Sequence, residues 1–157
     1  MPARAVSLVV LACLSALTLR VANAQALITG LSDIDLGTWY GSGDLNGEDD
    51  HCVYAAQGGQ FAVSASGEGP GGGFVLTGAA GSLPFDVSYA DDRNSASLQP
   101  NVWVGGFRGS PNLNQLNRCL SGSRTPETIE IRIGAAALSA APAGRYRGVL
   151  TLVVAPE

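Results

Sequence analysis

The stretch Ile129-Glu130-Ile131-Arg132-Ile133 puts a branched apolar side chain at every second position with a charged one between each pair. Successive side chains of a strand point to opposite faces, so this spacing predicts a half-buried β-strand. Ile129, Ile131 and Ile133 should face a core, with Glu130 and Arg132 toward water. The same period recurs in Phe61, Val63 and Ala65, and again in Leu83, Phe85, Val87 and Tyr89. Short apolar stretches of this kind, separated by Gly, Pro, Asn and Asp clusters, are the pattern of an all-β chain. Several of them in one domain predict a β-sandwich, sheet packed on sheet.

Outward from these strands the signals weaken. Residues 27–36 read as a looser first strand, and 74–77 and 102–104 as short ones. Gly69 to Gly73, with Pro70 inside, reads as a turn or flexible loop. Residues 105–124 are rich in Asn and Ser, lack a clear period and hold Cys119. Residues 135–140 have room for one helical turn before Pro142. The final strand differs from the rest: Tyr146, Gly148, Leu150, Leu152 and Val154 share one face, Val149, Thr151 and Val153 the other, and both faces are nearly apolar. Such a strand is expected in a covered central position. Its free edge must be met by an earlier strand or by another chain, because a bare apolar edge invites aggregation.

The N-terminus carries Arg4, an apolar run from Ala5 to Leu19, and the small-x-small ending Ala22-Asn23-Ala24. This predicts a secretory signal peptide over residues 1–24, cut after Ala24. The run is short for a membrane span, which needs about twenty residues, and an uncleaved anchor is the minor alternative. A lipoprotein signal through Cys13 fits poorly, because Leu11 is awkward before it and the apolar run continues past it. Residues 25–157 then form one domain, large enough to bury a core. No membrane insertion is expected after cleavage, and the localisation is periplasmic, cell-surface or secreted.

Of nine basic residues, all arginine, Arg4 and Arg20 fall in the leader, leaving seven against thirteen carboxylates. That balance argues against nucleic acid, whose binding depends on clustered cations. The absence of lysine excludes Schiff-base chemistry and lysine isopeptide crosslinks. Cys52 and Cys119 remain in the exported part, and an even pair there predicts a disulfide.

Signals of chemistry are weak. His51 is the only histidine and sits beside Glu48, Asp49, Asp50 and Cys52, but a zinc site draws on two or more His or Cys ligands. Asp44, Asn46, Glu48 and Asp50 alternate in what reads as an acidic loop over 44–50; the calcium-loop pattern fails there, with Asp49 in place of glycine and no Glu at the twelfth position. No Gly-x-Ser-x-Gly elbow accompanies His51. Asp91 and Asp92 read as turn-solvating carboxylates. Trp39, Tyr40, Trp103 and Phe107 are expected to pack against the sandwich ends. No catalytic, cofactor or metal residue is assigned, and the chain is expected not to be an enzyme.

The ending GRYRGVLTLVVAPE, 144–157, resembles the terminal strand of the spore coat protein U family, secreted proteins related to subunits of chaperone–usher pili, which reads Gly-x-Tyr-x-x-x-Leu-x-Leu. DDHCVYAAQGGQFAVSASGEG, 49–69, and LPFDVSYADD, 83–92, are similar to that family's Cys-bearing and central strands, and LSDIDLGTW, 31–39, to a short Gly-Thr-aromatic element. The resemblance implies an incomplete immunoglobulin-like β-sandwich that lacks its final strand. It also implies a periplasmic chaperone, an usher and sibling subunits as partners, with assembly by strand donation. Tyr146, Leu150, Leu152 and Val154 are the expected strand-acceptor groove, or else plain core. Few residues separate the cleavage point from the first strand. Either 25–36 is itself the donor, or the subunit accepts a strand without passing one on. The alternative function is a free secreted binding module for a ligand or matrix component.

Overall fold

A computed structural model describes residues 25–56, 59–115, 119 and 126–157. The leader and its cleavage point after Ala24 lie outside the described residues. Eleven strands and one short helix follow in the order β1 (Ala26–Thr29), β2 (Leu45–Ala55), β3 (Gln60–Ser66), β4 (Val75–Gly78), β5 (Gly81–Pro84), β6 (Asp86–Ala90), β7 (Ser95–Ser97), β8 (Val104–Arg108), β9 (Glu127–Ile133), α1 (Ala135–Ala140), β10 (Tyr146–Arg147) and β11 (Thr151–Pro156). One layer is a five-stranded sheet ordered β1-β2-β9-β6-β7; the other comprises β10-β4-β5 and β11-β3-β8. All pairings between these strands are antiparallel. The molecule is an all-β sandwich.

The alternating strands face as their period requires. Phe61, Val63 and Ala65 are buried, as are Val87, Tyr89, Ile129, Ile131 and Ile133, while Glu130 and Arg132 are exposed. At the centre Tyr89 meets Phe107 edge-on at 4.9 Å and Phe61 at 6.1 Å, the offset geometry that ring quadrupoles favour. The run from Leu83 to Tyr89 is not one strand, however. β5 pairs with β4 in one layer and β6 with β9 in the other, so the chain changes sheets at Phe85, whose N–H reaches Phe74 O. Alternation survives that crossing because both halves face the same core.

One further expectation is corrected. Residues 105–124 lack a clear period in sequence, yet β8 occupies their start. Its two glycines hide the period: Gly106, at φ +87°, sits where pairing with β3 slips between Phe61 and Val63, and its N–H donates to Glu157 Oε2 at 2.9 Å. Of the two readings of the glycine segment after β3, turn or flexible loop, the structure shows a hydrogen-bonded turn. Gly67 N–H donates to Gly72 O and Gly69 N–H to Gly73 O, while Asn101, itself at φ +61°, donates from Nδ2 to Gly71 O. A Cβ on Gly67 would stand 2.5 Å from Gly73 O, a backbone atom with no freedom to retreat. Gly67→Ala is therefore expected to cost about 1–3 kcal/mol, read as a lower urea midpoint at unchanged slope.

Cys52 and Cys119 are joined with Cα atoms 6.0 Å apart, as the pairing argument expects. Cys52 points away from the core yet is fully buried. No helix among the described residues is long and apolar enough to cross a membrane.

Candidate functional site

The final strand departs from the expectation of a covered central position. β10 pairs with β4, the chain breaks step at Gly148-Val149-Leu150, and β11 then pairs with β3 from Thr151↔Ser66 to Pro156↔Phe61. On its other side β11 carries no strand among the described residues. Of the four expected groove residues, Leu150, Leu152 and Val154 are half-buried, packed on the core and spaced along this open edge. Tyr146 is separated from them by the break. Its ring lies against Gly78 and its hydroxyl donates to Pro142 O at 2.7 Å. On the outer face Val149 and Val153 are 60% and 48% exposed, leaving apolar surface on both sides of the edge.

Across the gap lies the first part of the chain. β1 comes within 8 Å of β11 without bonding to it, being paired instead with β2 from Ala26↔Ala55 to Thr29↔Cys52. At Gly30, φ +90°, the chain drops toward the core side of β2. Ser32 then donates both its N–H and its hydroxyl to the Asp49 carboxylate. Three residues after Thr29 and three before Cys52, these two keep the register of β1 and β2, with a side chain standing in for the main-chain bond. Ile34 and Leu36 cover Gly47, where a Cβ would stand 2.5 Å from Ile34 Cγ2 and 2.7 Å from Leu36 Cδ2. Along the open edge of β11, Leu150, Leu152 and Val154 give the core side an apolar lining.

The other candidate groups are structural. Residues 45–50 are strand, so the expected acidic loop is corrected: alternation of Asn46, Glu48 and Asp50 is the outward half of a period of two, ambiguous without the inward half that Gly47 conceals. Among the described residues no three of His, Cys, Asp and Glu approach as a metal set. Asp44 accepts from Ala135 N–H and from Arg132 Nε and Nη2, which hold its carboxyl below the usual range. Asp91 accepts from Arg93, Asn94 and Arg108 N–H groups, closing its turn and tying it to β8. Phe107 is core and Trp39 half-buried, but Tyr40 is 90% and Trp103 52% exposed, so those two do not pack as expected.

His51 is fully buried, with Nε2 2.8 Å from Tyr89 Oη. Burial lowers its pKa from the ordinary 6.5, partly opposed by the Asp49 carbonyl and the charges of Asp49 and Asp50; burial, with Glu127 next, raises that of Tyr89. Below pH about 6.5 the unfolded chain takes up a proton that the folded chain resists, so stability falls on acidification. Between pH 7.5 and 5.5 the parent should lose more melting temperature than His51→Gln, the remaining carboxylates being common to both.

No protein-family model and no curated protein matches the chain. In fold it matches a chain from a solved structure described as a chaperone–tip adhesin complex vital for synergistic activation of CFA/I fimbriae biogenesis, with a TM-score of 0.58 over 86% of this chain at 14% identity. The two share a fold. This chain spans 42% of that chain's length.

Proposed function

We propose that the chain is an exported, non-enzymatic subunit or accessory protein of a chaperone–usher-like surface fibre or coat, of the spore coat protein U kind, and that it accepts a strand at the open edge of β11. The observation that carries this is an uncharged strand edge, open over six residues, with half-buried Leu152 and Val154 beneath it and a non-bonding β1 opposite. An extended segment laid there would bond main chain to main chain and set alternate side chains against the apolar lining, completing an immunoglobulin-like sandwich. β1 is already used within its own sheet, which favours accepting a strand over donating one. A periplasmic chaperone would hold the edge before assembly, with an usher and sibling subunits as later partners.

The test is the oligomeric state and melting temperature of residues 25–157, with and without a peptide copying residues 25–36. A lone domain that is unstable or polymeric, and is rescued by the peptide, supports the reading. A stable monomer indifferent to it and to other alternating apolar peptides refutes it, and points to a free binding module using the exposed Tyr40 and Trp103 loops.

A further inference from the structure

We infer that the edge of β2 over residues 45–50 is a second strand-pairing site, and that it takes an extended, arginine- or lysine-bearing segment of another protein. β9 bonds β2 along one side from Leu45 to His51, but β1 covers the opposite side only from Cys52 to Ala55. Beyond that point residues 30–36 keep register without pairing: the Ser32 N–H goes to the Asp49 side chain, and Ile34 and Leu36 slip beneath Gly47. In an antiparallel ladder alternate residues turn their N–H and C=O away from the partner, so 45–50 presents main-chain groups to an edge that no described strand occupies. Its core side is filled by residues 30–36. Its outer side shows Asn46, Glu48 and Asp50, all exposed.

Charge on an edge strand commonly guards it against aggregation. One carboxylate does that. Here Glu48 stands directly opposite Glu130 on β9, and like charges facing across a ladder are destabilising. Neither is in an ion pair among the described residues: the Arg132 guanidinium is hydrogen-bonded to Asp44 and reaches Glu130 only through the field of its charge, and Glu130 accepts from Ser88 Oγ at 3.3 Å. A shallow hollow of about 210 Å³ on the outer face is lined by Asn46, Gly47, Glu48 and Glu130. A strand added at the β2 edge would continue the line of β1, with small residues facing Gly47 and cations at alternate positions facing the carboxylates. A second copy of this chain suits the site less well, since its acids outnumber its bases, 13 to 9.

The probe is a capped heptapeptide alternating arginine and threonine, titrated into the full chain and read by amide hydrogen exchange and by affinity. Protection confined to residues 46–50 is expected. Affinity should fall about tenfold or more in the Glu48→Gln, Glu130→Gln double variant and hold in Asp92→Asn, an exposed carboxylate elsewhere. Glu48→Gln alone should raise the melting temperature, since relief of the facing charges is a gain for an empty site. No binding, protection at β11 instead, equal binding of a proline-substituted peptide that lacks the needed N–H groups, or an equal loss in Asp92→Asn would each overturn the inference.

Discussion

A chain with alanine at both Cys52 and Cys119 is expected to melt about 10 °C below the parent, a cost near 4 kcal/mol. The bond joins residues 67 apart, and a loop of that length removes much of the freedom of the unfolded chain. Burial should make this effect hard to reach chemically. Cys52 and Cys119 are 0% and 1% exposed, so dithiothreitol under native conditions should leave the parent's melting temperature unchanged, and lower it only after unfolding has opened the bond. Calorimetry of the double variant beside the reduced parent decides it; a drop under about 3 °C would show that the constraint on the unfolded state is small.

Aspartate at Leu152 or Val154 is expected to abolish strand acceptance. Both side chains face the core side of β11 and are half-buried before any partner arrives. An incoming strand would strip the rest of the water from the new carboxylate with nothing to pair it, a cost of several kcal/mol and a loss in affinity of about a hundredfold or more. Thr151→Asp, on the outer face of the same strand, should leave acceptance intact. The readout is peptide affinity together with the fraction of chain recovered as polymer, alongside the melting temperature of each lone variant. Peptide binding retained in Val154→Asp would remove the β11 edge from the mechanism.

Strand identity was legible wherever a branched or aromatic residue marked every inward position, as in Ile129–Ile131–Ile133 and Phe61–Val63–Ala65. It failed where glycine took the inward or bulged position, at Gly47 in β2 and Gly106 in β8, because glycine carries no hydropathy to continue the period. The crossing at Phe85 was invisible for the opposite reason: inward residues on either side look alike whichever sheet they belong to. Leu150, Leu152 and Val154 were named from the sequence, and an open edge beside them was implied by the family resemblance; where β1 runs was not legible. The Ser32–Asp49 bond that sets that path joins residues 17 apart with no local signature.

The two long margins of the β11-β3-β8 sheet are finished differently. β11 is bare, whereas along β8 the Asn94 amide donates to Gly106 O and the Asp91 carboxylate takes the Arg108 N–H, each at 2.6 Å. Side chains from one turn have thus taken up one carbonyl and one N–H of that margin. On the proposed reading, a strand added to this sheet has its place beside β11, and a subunit that accepts one there without giving one ends a row of subunits rather than extending it.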